Sequence, residues 1–262
     1  MRALLEDPSA AGPLPAPLSE LYGGGLHLAD DLLYANFVSS VDGVVALPAG
    51  QPSGAVISGR SPADRFVMGL LRALADAVVV GAGTLRAEPG HLWTPAYVRP
   101  KLADAYATLG RPDPRLVVVT ARGDLDPGEP ALERGALVLT TDRGAAALQG
   151  RLPGASRLLS LGPRPPDGAS IVRAIRAEGH HRILTEGGPG LFATLVGAGM
   201  VDELFLTLSP VLAGRRSGDG RLALLDGIEL LPDAGRWARL LSVRLHRAHL
   251  LLRYAFNRSG AE

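Results

Sequence analysis

The chain has no cysteine in its 262 residues, which removes disulfides, thiolate nucleophiles and cysteine-ligated zinc and fits a reducing compartment. Net charge is almost absent as well. Twenty-seven Lys and Arg against 26 Asp and Glu leave +1, so no global field draws nucleic acid or an anionic membrane, and the expected ligands are small molecules. Lysine itself is nearly missing, Lys101 being the only one, and the segment GGPGLF (187–192) lacks the GK[ST] ending of a P-loop. No GxSxG elbow occurs, and none of the six histidines stands in an HExxH frame, so neither a hydrolase triad nor a metal site is expected. His180 and His181 close a helix, where a cation suits the dipole. No apolar run approaches about 18 residues. The opening MRALLEDPSAAGPLPAPL puts Glu6, Asp7 and several prolines where a signal peptide has its apolar stretch. A soluble, cytoplasmic protein without a membrane segment is expected.

What is present is core material: 47% of residues are hydrophobic. The length permits one large α/β domain or two small ones, and no repeat or charge block divides it. The expected organisation is a Pro/Ala-rich arm over residues 1–20, lying on the surface or on a partner, followed by a single domain over 21–262. Buried-looking strands read out at LLYANFVSSV (32–41), AVVVG (77–81), RLVVVT (115–120), ALVLTT (136–141), RLLSLG (157–162) and LFLTL (204–208). A short strand is expected at VVAL (44–47), and the tail 242–256 reads as one closing strand. Helices fall between them, which argues for an α/β fold with a mostly parallel central sheet. Residues 89–114, with five prolines around Trp93, Tyr97 and Tyr106, read as a lid or site wall.

Two glycine turns each follow a strand, one after AVVVG and one after a further strand that reads out at RILT (182–185). In Glu186-Gly187-Gly188-Pro189-Gly190 the glycines remove Cβ atoms that would obstruct an anion, and the helix after it, from Leu191 to about Met200, offers unpaired N–H groups and a positive dipole end. The turn either holds a phosphate or pyrophosphate or is a tight connection that needs positive φ. The other turn, Gly81-Ala82-Gly83-Thr84, ends AVVVG; Arg86 stands where a dinucleotide fingerprint has its third glycine. One GxG is weak evidence, but two such turns in one sheet can flank an extended cofactor.

The helix before the second turn is well punctuated. Ser61 reads as its cap, Pro62 as its first residue and Asp64 as the acid of a capping box. Ala63, Val67, Leu70, Leu71 and Leu74 mark its buried stripe, and Arg65 and Arg72 share the opposite face. Arg72 is there either as an exposed partner for Asp76 at i,i+4 or with a role in a site. Asp42 and Glu186, each at a strand end beside a glycine, are the acids placed to face a site. Asp42 alternatively makes an Asx turn. Thr120 and Arg122, after RLVVVT, offer a hydroxyl and a guanidinium that suit a phosphate monoester, unless Arg122 is simply solvated.

Taken together, ANFVSSVDG (35–43), SPADRFVMGLLRALADAVVVGAGTLRAE (61–88) and TEGGPGLFATLVGAGMVDELFLTLSPVLAG (185–214) resemble the reductase family of riboflavin biosynthesis. The resemblance implies the dihydrofolate-reductase-like α/β fold and a homodimer that uses NADPH to reduce the ribosyl group of a phosphoribosylaminopyrimidine to ribityl. It assigns Gly81, Gly83, Thr84 and Glu88 to the cofactor, and Gly187, Gly188, Gly190 and Leu191 to its pyrophosphate. Thr120 and Arg122 match the place for the adenosine 2′-phosphate, and Arg72 and Glu186 the substrate, with Glu186 and Asp42 as catalytic candidates, Asp42 as a proton relay. After the GT motif this chain reads Glu88-Pro89-Gly90-His91-Leu92-Trp93-Thr94-Pro95, without the family's second acid and arginine, so Arg99 or Lys101 would have to meet a substrate phosphate. The zinc deaminase signature fused to many such reductases has no counterpart in a chain without cysteine. Two other outcomes stay open: a reductase of another small molecule, pterin-like, on the same fold, and a non-catalytic nucleotide-binding paralogue.

Overall fold

The computed structural model describes residues 1–48, 51–216 and 218–256. Ten strands form one sheet: β1 (Arg2–Glu6), β2 (Leu32–Ser40), β3 (Ala77–Gly81), β4 (Arg115–Val119), β5 (Ala136–Thr140), β6 (Arg157–Ser160), β7 (Arg182–Thr185), β8 (Glu203–Ser209), β9 (Ala238–His246) and β10 (His249–Phe256). The α-helices are α1 (Ala16–Tyr22), α2 (Ser53–Ile57), α3 (Pro62–Leu74), α4 (Ala82–Ala87), α5 (Pro95–Val98), α6 (Ala103–Ala107), α7 (Pro130–Glu133), α8 (Asp142–Leu148), α9 (Gly168–Ala177) and α10 (Pro189–Gly197). No helix among the described residues is long and apolar enough to cross a membrane.

Strand order is β1-β9-β10-β8-β2-β7-β3-β4-β5-β6. From β8 to β6 every pairing is parallel, and β10, β9 and β1 complete the sheet antiparallel. Helices cover both faces of the parallel part, which is why its strands are continuous β-branched runs rather than alternating ones. Val78, Val80 and Val118 pack toward α3 with Leu70, Leu71 and Trp93. Val79 and Val117 point the other way, against Ile171 and Ile175 of α9 and Phe192 of α10. The chain leaves β2 for β3, returns after β6 to insert β7 between them, and then places β8 on the far side of β2. Such a reversal of order opens a crevice at the carboxyl ends of the strands.

Three expectations need correction. Residues 1–20 contribute the edge strand β1 and most of α1, whose Leu18 and Tyr22 are buried, because alternating contacts along β9 give Arg2–Glu6 a pairing partner. The tail is a hairpin, β9 and β10 joined at Arg247-Ala248; Arg247 adopts the positive φ that a glycine would have advertised. VVAL makes only a single bridge, Ala46 to Leu222.

Helix α3 begins as its sequence suggests, with Ser61 Oγ accepting from the Asp64 amide at 3.5 Å and Pro62 in the first turn. Its burial is not a single stripe: Asp64, Phe66, Gly69 and Arg72 are buried too. The cause is residues 89–114, which fold into α5 and α6 and cover the helix's second side, with the Tyr106 hydroxyl donating to Phe66 O at 3.1 Å. A Cβ on Gly69 would sit 2.4 Å from that hydroxyl, so the close approach depends on glycine.

Candidate functional site

The ends of β3 and β7 are tied to each other. Gly81 N donates to Gly187 O at 2.7 Å, so the two glycine turns lie side by side at the carboxyl edge of the sheet. Gly187 has φ +86°, and a Cβ there would fall 2.8 Å from Phe37 Cε1; no other residue fits that position without displacing the ring. The Gly187–Gly188 peptide is cis. Gly188 is the N-cap of α10 and no side chain caps the helix. Its first turn, at Gly190 and Leu191, therefore presents amide donors and the positive end of the dipole to whatever lies outside. A Cβ added to Gly83 or Gly190 meets nothing within 4 Å, and one added to Gly188 meets only Thr84 Oγ1, at 3.2 Å. Both turns thus border open space at Gly83 and Gly190, with the Thr84 hydroxyl lying directly against Gly188. An anionic, extended group fits this cradle sterically and electrostatically.

Glu186, the residue before the turn, is held from α3. Arg72 Nε donates to its Oε1 at 2.9 Å and Arg72 Nη2 to its Oε2 at 2.6 Å. Arg72 is only 1% exposed and Glu186 8%, so the pair stands in a medium where a lone charge would be costly. Arg72 Nη1 also donates to Leu92 O at 3.2 Å and Thr94 O at 3.3 Å, and Nη2 lies 3.0 Å from His91 Nε2. An arginine has no acceptor, so His91 Nε2 accepts and its Nδ1 carries the proton donated to Glu88 Oε2, 3.0 Å away. A polar chain Glu186–Arg72–His91–Glu88 results. Burial pushes the Glu88 carboxyl up, but the His91 bond and the nearby Arg72 charge outweigh it and leave the pKa below the usual value.

These contacts reassign several residues. Arg72 is neither exposed nor paired with Asp76, which is taken by Arg111 and by the amides of His181 and Arg182. Its guanidinium is filled by protein partners, so direct substrate contact is corrected to anchoring Glu186 and the 91–94 segment. Glu88 turns to His91 instead of the cradle. Gly81 serves through its amide tie to Gly187. Thr120 is buried and its hydroxyl accepts from Gly123 N at 3.1 Å, shaping the turn after β4. Arg122 in that turn is exposed and, among the described residues, its side chain has no polar partner. Arg99, a candidate for substrate phosphate, donates to Pro62 O at 3.3 Å.

Asp42 is corrected outright as a proton relay. Its Oδ1 accepts from Ser40 Oγ at 2.6 Å and Ala213 N at 3.0 Å, and its Oδ2 from Gly214 N at 2.7 Å. The Ser40 bond above all, with the Ala213 and Gly214 amides, lowers its pKa to about 2, too low to carry a proton at neutral pH. It fastens residues 213–214 to the end of β2.

The sequence reading missed Asp64. Instead of closing a capping box, its side chain is buried close to Thr207 of β8 and Ser58, with His249 near it. His249 Nε2 in turn lies 2.9 Å from Ser58 O. Burial dominates and raises the Asp64 pKa to about 6, while those neighbours pull the other way. The signal lay in its helical position beside Ala63 and Val67, on the apolar side of α3.

The family profile described as the RibD C-terminal domain matches residues 32–227, a span that contains both turns, α3 and the Arg72–Glu186 pair. No curated protein sequence matches at a significant level. Among solved structures, Acinetobacter baumannii RibD superposes with a TM-score of 0.66 at 20% identity; 87% of this chain is covered, and the chain spans 58% of that protein. A pyrimidine reductase-like protein from Corynebacterium diphtheriae gives 0.65 at 20% identity, covering 92% of this chain and 99% of the other. Saccharomyces cerevisiae riboflavin biosynthesis reductase Rib7 gives 0.59 at 13%, covering 92% and 98%. At these identities the superpositions establish the shared fold. With the profile covering most of its length, the chain belongs to the RibD C-terminal domain family.

Proposed function

We propose that this protein is a pyrimidine reductase of riboflavin biosynthesis, reducing the ribosyl group of a phosphoribosylaminopyrimidine to ribityl with NADPH. The observation that carries the reading is the Gly81–Gly187 tie, which sets two glycine turns side by side at the start of an uncapped helix. Gly83, Thr84, Gly188, Gly190 and Leu191 would hold the cofactor's pyrophosphate, and Arg122 its 2′-phosphate. NADPH, when bound, supplies the reducing equivalents. Glu186, fixed by Arg72 in the residue before the cradle, would offer the remaining lone pairs of a preoriented carboxylate to the hydroxyls and ring amines of the substrate. Asp64 is the carboxyl at this edge that keeps a proton up to about pH 6. The reading takes the enzyme as a cytoplasmic homodimer.

The test is NADPH oxidation on addition of the phosphoribosylaminopyrimidine, in its diamino and its deaminated form. Turnover of either supports the proposal and identifies the base. Oxidation with a dihydropteridine alone overturns it in favour of a pterin reductase, and saturable NADPH binding without turnover of any of the three overturns catalysis.

A further inference from the structure

At the opposite edge of the sheet from the glycine turns lies a second cleft, of about 450 Å³, opening where β3, β4, β5 and β7 begin. Its size is that of a small-ligand site. Its lining includes the apolar Leu92, Trp93 and Leu116, the last two showing only their edges, and the basic Arg115, Arg134 and His180. The two carboxylates there are engaged: Asp76 by Arg111 and two backbone amides, Asp113 by Arg134 at 3.8 Å. Among the described residues, Arg115 has no such partner. Its Nη1 lies close to Gly135, and among the described residues its guanidinium makes one long, exposed hydrogen bond, Nη2 to Ala155 O at 3.5 Å, and no ion pair. A guanidinium with most of its donors unused, at the mouth of a cleft that also holds apolar side chains, suits an acceptor-rich anion with a flat, apolar body.

We infer that this cleft is a second ligand site, which takes a compact organic anion: an aromatic ring against Leu92, Trp93 and Leu116, bearing one phosphate or carboxylate on Arg115. Arg134 closes the site from the exposed side. The wall that would touch the ring is the segment that Arg72 holds through Leu92 O and Thr94 O. An occupant therefore pushes on the anchorage of Glu186 without entering the cradle, which makes the cleft a place where a metabolite could modulate the carboxyl-edge site. Binding itself does not depend on the reductase reading, so the two proposals fail separately.

The probe is phenyl phosphate, with benzoate and inorganic phosphate as parallel arms, titrated against a Trp237→Phe variant in which Trp93 is the only fluorophore of its kind. Saturable quenching or enhancement by phenyl phosphate is expected. Binding should weaken roughly tenfold or more in Arg115→Met, as loss of a charge-assisted contact requires, and less in Arg134→Met, whose side chain is more exposed. Benzoate binding in place of phenyl phosphate would identify a carboxylate as the anion. Inorganic phosphate should bind far more weakly, because it lacks the ring. NADPH should not displace the probe. No saturation by either aromatic probe overturns the inference. So does binding that both arginine variants, shown folded by circular dichroism, leave unchanged, or that Arg122→Ala abolishes, since the probe would then lie in the cofactor cradle.

Discussion

Arg72 and Glu186, 114 residues apart in sequence, meet in a two-pronged ion pair, Nε to Oε1 at 2.9 Å and Nη2 to Oε2 at 2.6 Å. The pair joins α3 to the residue that opens the glycine turn, so the packing of a core helix and the position of a site carboxylate become one property. Removing one partner leaves the other buried and uncompensated, which costs about 3–5 kcal/mol. Arg72→Met and Glu186→Leu should each show that loss in urea denaturation, and the double variant should lose clearly less than their sum. Strict additivity would mean that the two side chains do not depend on each other.

Glu186→Gln addresses function more gently. Glutamine keeps the size and one acceptor, so on the proposed reading the cradle and NADPH binding should persist while the charge proposed to meet the substrate is gone. A contact of about 1.5–3 kcal/mol expressed in the transition state corresponds to roughly a ten- to hundredfold fall in kcat/KM. Turnover at the wild-type level would take Glu186 out of the site. Loss of NADPH affinity would mean that it supports the turn alone.

Arg122 stands exposed after β4 with no polar partner of its own among the described residues. If it grips the 2′-phosphate, Arg122→Ala raises the Kd for NADPH roughly ten- to hundredfold, a charge-assisted contact being worth about 1.5–3 kcal/mol. NADH affinity should stay put. Equal weakening of both cofactors would assign the guanidinium elsewhere.

The glycines divide by what surrounds them. Gly190 borders open space, so Gly190→Val should fold normally and project a branched side chain into the cradle, abolishing NADPH binding in a fluorescence titration. Gly187→Ala, at φ +86° with Phe37 2.8 Å from the new Cβ, should lower Tm instead. Wild-type NADPH affinity in Gly190→Val would reduce the turn to a structural connection.

The legible parts of this chain were those whose signal is local. Val78–Val80 and Val117–Val119 announce buried strands, Ser61-Pro62 a helix start, and Gly187-Gly188 a turn whose first glycine tolerates no side chain. What escaped was decided by distant partners. Arg72 looks like a solvated helix residue until the segment 91–94, from the following loop, and Glu186 close over it. Asp42 sits at a strand end like a catalytic acid, yet its oxygens are claimed by amides 171 and 172 residues away. The hairpin at Arg247 went unseen because its turn lacks glycine and asparagine, and β1 because only β9, near the other end of the chain, makes it a strand.

Asp64 gives the pH dependence its sign. Burial raises its pKa from 3.8 to about 6 in the folded protein, so the native state holds this proton more tightly than the unfolded chain does. Its contribution to stability is fully present below about pH 4 and is lost as pH rises through about 6, where the folded protein must carry a buried carboxylate. A shift of about two units corresponds to about 3 kcal/mol, to order of magnitude, once both states are ionised. Asp64→Asn keeps the shape and removes the ionisation. Urea unfolding should therefore find the variant close to wild type at pH 4, increasingly more stable than wild type between pH 4 and 6, and ahead by a constant margin above pH 7. The direction is opposite to that expected for Asp42, whose depressed pKa adds stability that disappears as pH falls toward 2. A difference between Asp64→Asn and wild type that does not change from pH 4 to pH 7.5 would show that Asp64 titrates alike in both states, and the raised pKa would have to be abandoned.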